Sequence, residues 1–202
     1  MSKTPFTKIT VTVDKFNSQG YGVGLGRKSE ASTLSKVEIP HTIPGDVVET
    51  EVGRKHCGVF FGYLPKVISP SKDRVDLRCA HATYCGGCSW QQMSYYKQLE
   101  YKYSFIESLF LPYFSDKTTL HPILECSDPW LYRNKMEYTF SQNKAGEKFL
   151  GLIMTGGKGR VFNLTECHLT DPWFHESVNA VRSFWEHSSL QAYNMRANQG
   201  TL

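Results

Sequence analysis

Three cysteines fall within ten residues, as Cys79-x5-Cys85-x2-Cys88. An x2 pair sets two thiolates around one turn, close enough to share a metal, and Gly86 and Gly87 let the backbone curl around it. The thiol six residues upstream supplies a third corner. A tetrahedral zinc or a four-iron cluster needs a fourth ligand, and Cys126 and Cys167 are the two candidates. Zinc sites of this kind usually bring a second tight pair. The chain has no second Cys-x2-Cys and no spaced His pair, and the adjacent Cys167-His168 is poor geometry for two ligands. Three clustered thiols and one distant thiol fit an iron–sulfur site better than zinc or purely structural thiols. Cys57 and Cys126 read as small buried hydrophobes. The N-terminus, Met1 to Lys8, is polar and holds no apolar signal core, so a disulfide framework is not expected.

Other patterns carry less chemistry. Gly20-Tyr21-Gly22-Val23-Gly24-Leu25-Gly26 invites a dinucleotide reading, but the residues after Gly26 are polar and lack helical periodicity. A kinked or bulged strand explains these glycines better. Gly156-Gly157-Lys158-Gly159 reads as a hairpin turn between two strands.

The elements that must position these groups come in two sets. Residues 1–70 read as all-β. Ile9, Val11 and Val13 alternate with polar residues. Val37 with Ile39, the run Asp46–Val52 after the turn Pro44-Gly45, Phe60–Leu64 and Val67-Ile68 complete about five short strands, which suits a small closed barrel. Residues 71–78 are charged and follow a proline, as a linker would be. From Cys79 the pattern is mixed. Ser89 to Phe110 reads as a helix, with Trp90, Met93, Tyr96, Leu99, Tyr103, Ile106 and Phe110 at steps of three and four. Strands are expected at Tyr132–Phe140, Phe149–Met154 and Val161–Leu164. Asp171-Pro172 should cap a last helix whose apolar face is Phe174, Val178, Val181 and Trp185.

The chain has 202 residues and a formal net charge of +4. The excess is local. Residues 1–78 hold 12 Lys/Arg against 8 Asp/Glu, and residues 79–167 hold 9 against 8. A basic small barrel is what a polyanion-binding module shows. No run of about 18 apolar residues exists, so no membrane helix is expected.

The cysteine motif with Gly86-Gly87, then Trp90-Gln91-Gln92 and a Tyr/Lys-rich helix, resembles the RNA uracil-5 methyltransferases. Tyr132-Arg133-Asn134-Lys135 is similar to that family's Tyr-Arg-Asn-Lys strand, and residues 1–70, with Ile39-Pro40 and Pro44-Gly45-Asp46, resemble its N-terminal TRAM domain, an OB-like barrel. The likeness is greatest to the bacterial 23S ribosomal RNA branch, since the tRNA branch generally lacks this cysteine motif. The resemblance implies an α+β multidomain fold: a TRAM barrel at 1–70, a linker at 71–78, a central iron–sulfur RNA-binding domain at 79–195, and a stub at 196–202. It implies that Cys79, Cys85, Cys88 and Cys167 hold one 4Fe-4S cluster, with Cys167, separated from Cys88 by 78 intervening residues, as the fourth ligand. It further implies a ribosomal RNA partner, a cytoplasmic monomer, and a Rossmann-like S-adenosylmethionine domain that carries the catalytic residues. The 35 residues after Cys167 contain no cysteine and no Gly-rich strand-to-helix turn, so no catalytic residue is expected in this chain, which alone should be inactive. For RNA contact the candidates are Arg133, Asn134 and Lys135, two of them on one face of a strand, and the aromatic residues Phe16, Tyr21, Phe60, Phe61 and Tyr63, of which Tyr21 and Phe61 are preferred. A stand-alone RNA-binding iron–sulfur module and a zinc-stabilised interaction protein are the competing readings.

Overall fold

The computed structural model describes residues 5–195 and 197–202. Met1 to Thr4, and Arg196 at the head of the expected stub, lie outside the described residues. The chain divides into two compact units: Met1–Asp76 with Trp90–Pro129, and Leu77–Ser89 with Trp130–Leu202. Segment 90–129 thus groups with the barrel, whereas the sequence reading placed it in the central domain.

Five strands close the barrel of the first unit: β1 (Thr7–Phe16), β2 (Gly22–Gly26), β3 (Ser35–Ile39), β4 (Val47–Val52) and β5 (Phe60–Ser69). Their order is β1-β2-β3-β5-β4, and only β3 and β5 run parallel. Alternation of β-branched residues builds the interior, because successive side chains point to opposite faces of a strand. Ile9, Val11, Val13, Val37, Ile39, Val48, Val52 and Phe60 fill it. The two short runs expected at 60–64 and 67–68 are one continuous strand, and the glycine run supplies the fifth. The kinked-strand reading of those glycines holds. The β1–β2 register shifts between Val13 and Lys15. Opposite this shift, a Cβ on Gly24 would sit 2.0 Å from the Thr12 carbonyl oxygen, so only glycine fits.

Pro44-Gly45 leads into Asp46, which is fully buried rather than the first residue of a strand. Its carboxylate accepts from Ile43 N (2.8 Å), Ser71 N (3.0 Å), Arg74 Nε (2.7 Å) and Arg74 Nη2 (2.9 Å). A buried carboxylate is tolerated only when its charge is paired and its lone pairs are filled, and here they are. The first half of the stretch read as a linker is therefore fastened to the barrel.

His41, one turn from Asp46, has its pKa lowered to about 4 by burial. Unfolded, it titrates near 6.5. The folded state binds fewer protons between these values, so stability rises with pH there. We expect unit 1 to lose about 3 kcal/mol as pH falls from above 6.5 to below 4 through this group. Urea unfolding across that range should show the loss, and His41→Gln should flatten it.

The helix α1 (Tyr95–Phe110) begins six residues later than Ser89. Ser94 is the cap, its hydroxyl accepting from Lys97 N at 3.4 Å. Trp90 and Met93 keep the helical spacing but serve a turn. Trp90 Nε1 donates to Gly20 O (2.8 Å), its ring lies 4.7 Å from that of Phe16, and Met93 is buried. No residue of α1 is buried, so its apolar positions Tyr96, Ile106 and Phe110 are exposed.

The second unit holds a three-stranded antiparallel sheet of β6 (Thr139–Gln142), β7 (Lys148–Ile153) and β8 (Val161–Asn163), in that order. The 156–159 glycines turn the chain between β7 and β8, as expected. Helix α2 (Pro172–His187) starts on the predicted cap, Asp171 accepting from Trp173 N at 3.3 Å. Val178 and Trp185 of α2 are buried with Leu150, while Val181 is 47% exposed and lies off the packed face. Lys148 Nζ donates to the carbonyls of Trp185 and Ser188, 2.8 Å each, at the helix C-terminus, where a cation opposes the dipole. The strand expected at Tyr132–Phe140 forms only from Thr139. Residues 132–138 have no ladder apart from a single bridge of Arg133 to Thr170. Among the described residues no helix is long and apolar enough to cross a membrane.

Candidate functional site

The loop Cys79–Cys88 is stitched to the end of β7. Ala82 N bonds Cys79 O (3.1 Å) and Cys85 N bonds His81 O (2.8 Å), which winds the loop tightly. Gly86 N then donates to Ile153 O (3.0 Å), Thr155 N to Tyr84 O (2.9 Å), and Thr155 Oγ1 to Cys85 O (3.0 Å). A Cβ on Gly86 would meet Ile153 O at 2.8 Å. Close approach to the strand thus favours glycine at position 86.

Cys85 is buried against Phe162 and Leu164, with Cys167, Tyr84, Tyr138, Leu152 and Met154 packed around them. Cys167 arrives four residues after β8. The thiols of Cys79 and Cys85 are both pushed up, first by burial and also by the negative charge of Cys167. Cys85 and Glu166 act on Cys79 in the same sense. Against this, Gly87 N donates to Cys85 Sγ at 3.3 Å, and Arg133 favours the Cys85 thiolate. Cys88 and Cys167 in turn raise the pKa of Arg133, whose largest influence is the side chain of Tyr132. All six cysteines are thiols. Cys79, Cys85, Cys88 and Cys167 lie in one unit, buried or half-buried, and the charge of Cys167 reaches both Cys79 and Cys85. Burial of Cys79 and Cys85 disfavours their thiolates unless a cation joins the sulfurs, so the donor set fits a thiolate-held metal centre. Cys126 belongs to the other unit and is exposed, as is Cys57, which corrects the reading of both as buried hydrophobes. Cys126 Sγ donates to Asp128 O (3.0 Å), and Cys57 sits in a turn at φ 48°.

Two polar neighbours of the thiols were not among the expected site residues. His81 is 3% exposed. Its ring lies 5.0 Å from that of Phe162 at 30°, with Tyr84 edge-on at 5.8 Å. Its Nδ1 is 3.8 Å from Cys79 Sγ and its Nε2 is 3.1 Å from Thr165 Oγ1. Glu166 accepts from Ala80 N at 2.7 Å, which holds its carboxyl below the usual range. The i,i+2 spacing of Cys79 and His81 was a visible signal. Glu166, 86 residues from Ala80, gave none.

Arg133, Asn134 and Lys135 are exposed. Arg133 is placed by its own N–H, which donates to Leu169 O at 2.8 Å, and its charge is felt by Cys85. Lys135 pairs with Glu137 at 2.9 Å. The two share no strand face, because the segment is not in a ladder. In the barrel, Phe61 and Tyr63 point outward along β5, their rings 4.8 Å apart, and Tyr21 stands edge-on to Phe61 at 6.0 Å. Phe60 is a core residue and Phe16 is packed against Trp90 and Tyr101, so neither is a stacking platform. Lys28 and Lys55 reach over the Phe60 ring, at 5.5 and 5.0 Å from its centroid.

No protein-family model matches the chain. Curated relatives do. The chain is 44% identical over 166 residues to an uncharacterized RNA methyltransferase of Protochlamydia amoebophila, covering 82% of this chain and 37% of that protein. It is 30% identical over 196 residues to an uncharacterized RNA methyltransferase of Synechocystis, covering 96% of this chain and 41% of that protein. The chain thus spans about two fifths of the length of the curated relatives it matches. In sequence it resembles RNA methyltransferases. In fold it resembles one in particular: the Pyrococcus abyssi tRNA (uracil-54, C5)-methyltransferase, solved with S-adenosyl-L-homocysteine, superposes with a TM-score of 0.63 over 95% of this chain and 40% of that one, at 20% identity.

Proposed function

We propose that this chain is the RNA-recognition part of an S-adenosylmethionine-dependent 23S ribosomal RNA uracil-5 methyltransferase, the full-length enzyme forming 5-methyluridine. The observation that carries the reading is the 44% identity over 166 residues to a protein named as an RNA methyltransferase. The closed barrel and the gathered thiols support it. Cys79, Cys85, Cys88 and Cys167 would hold one 4Fe-4S cluster. The cluster supplies folding free energy and shape to the second unit, since transfer of a methyl group to uracil moves no net electrons through the protein. S-adenosylmethionine and the catalytic residues belong to parts of the enzyme outside this chain.

A uracil in folded RNA must leave its stack before its C5 can react. The residues here would grip the flanking strand. Tyr21 and Phe61 offer ring faces and edges for bases, Lys28 and Lys55 offer charge for phosphates, and Arg133, Asn134 and Lys135 are exposed. The test is binding of a fluorescent single-stranded RNA by the anaerobically purified chain. Phe61→Ala and Tyr21→Ala should each weaken binding by about 1–3 kcal/mol, and affinity should fall linearly in log–log form with salt. The chain should transfer no label from S-adenosylmethionine to ribosomal RNA. Absence of RNA binding at low salt would overturn the reading.

A further inference from the structure

We propose that one end of the barrel carries a seat for a single phosphate group, which Lys28 and Lys55 hold jointly above the ring of Phe60. The topology builds the seat. Val37 of β3 and Phe60 of β5 are parallel partners, so both strands start at the same end. Gly26 pairs with Ser35 and Val52 with Gly62, so the loops 27–34 and 53–59 that feed those strands lie at that end too. The first loop carries Arg27, Lys28 and one acid, Glu30. The second carries Arg54, Lys55 and His56 and no acid.

Between them is a cavity of about 290 Å³, lined by Lys28, Ser32, Thr33, Lys55 and Phe60. Both ammonium groups stand over the same ring, at 5.5 and 5.0 Å from its centroid. Among the described residues neither pairs with a carboxylate. Two like charges in one small hollow repel each other, and the negative face of the ring offsets only part of that. An anion between them is drawn by both and relieves the repulsion. The hydroxyls of Ser32 and Thr33 add donors, that of Ser32 being already steered by Ser29 Oγ at 2.8 Å. Cations and hydroxyls with no carboxylate suit phosphate oxygens. The cavity lies at the small end of the range for ligand pockets, which suits one such group. Both lysines thus act on one and the same phosphate, and the site reads no base. An RNA phosphodiester as its source rests on the function proposed above, whereas inorganic phosphate offers the same chemistry without it.

The test is the salt dependence of binding to fluorescent single-stranded RNA, with Lys→Gln changes that keep most of each stem over the ring. Each single-strand phosphate that a protein ceases to neutralise lowers the slope of log affinity against log salt by about 0.7. Lys28→Gln with Lys55→Gln should lower it by about 0.7 and weaken binding about fivefold at about 0.1 M salt, equally for RNAs of different base composition. Lys117→Gln with Lys144→Gln, the same loss of charge at exposed positions elsewhere, should leave the slope unchanged. A fall of about 1.4 would mean two separate phosphate contacts, and no fall would mean none; either overturns the shared seat. Circular dichroism reports that each variant folds. The second arm is broadening of the phosphorus resonance of inorganic phosphate by the chain. If no chain binds RNA, the RNA reading fails, and the seat then stands only on broadening by wild type that the Lys28 and Lys55 changes abolish. Equal broadening, or none, overturns it in that case. If RNA binds, the slope decides, and a slope change without broadening of inorganic phosphate names the RNA backbone as the source.

Discussion

Asp46→Ala is expected to destabilise the barrel unit by about 3–5 kcal/mol, the cost of removing one partner of a buried ion pair. The carboxylate is fully buried and accepts four hydrogen bonds, two of them from Arg74. Without it, the Arg74 guanidinium, mostly withdrawn from water, and the N–H groups of Ile43 and Ser71 would lose that acceptor. Asp46→Asn should recover part of the loss, because it keeps an acceptor but not the charge. The contrast is Glu49→Ala, which removes the exposed pair with Lys8 at 3.2 Å and should cost under about 1 kcal/mol. Urea unfolding followed by circular dichroism measures all three. Equal effects for Asp46 and Glu49 would show that burial of the first pair does not govern barrel stability.

Cys85→Ala should have the largest effect in the second unit. Cys85 is the most buried of the four thiols, and its sulfur accepts from Gly87 N. If it is a cluster ligand, its loss removes both a packed side chain and metal-derived folding free energy, which can be of order 10 kcal/mol for structural metals. Iron retained after anaerobic purification should fall to a small fraction of wild type, and the unit should become protease-sensitive. Cys57→Ala and Cys126→Ala, at exposed positions, should leave iron unchanged. Iron lost on Cys126→Ala would reassign the fourth ligand.

The barrel was legible because period-2 alternation has one physical cause, a strand with one buried face, and Ile9, Val11 and Val13 show it without interruption. The cap at Asp171 was legible for a similar reason: aspartate before proline leaves little but a helix start. The start of α1 was not. Ser89 and Ser94 can both cap, and Trp90 and Met93 continue the helical spacing while packing into a turn held by the Gly20 carbonyl, a contact 70 residues away in sequence. Residues 132–138 alternate in type without a neighbouring strand to pair with, so alternation alone misled. In the site, the local thiol triplet was plain. The convergence of Glu166 on Cys79 was hidden, because a backbone N–H at Ala80 makes it and any residue type supplies one. The exposure of Cys57 and Cys126 also ran against the general tendency of cysteine to be buried, for Cys57 through a left-handed turn that it shares with Gly58.

Whether the four thiols of the second unit hold iron is decided by metal and acid-labile sulfide analysis of the anaerobically purified chain, with electron paramagnetic resonance after reduction. Four iron and four sulfide per chain, with the signal of a reduced 4Fe-4S cluster, is the expected result. Stoichiometric zinc with neither iron nor sulfide would contradict it.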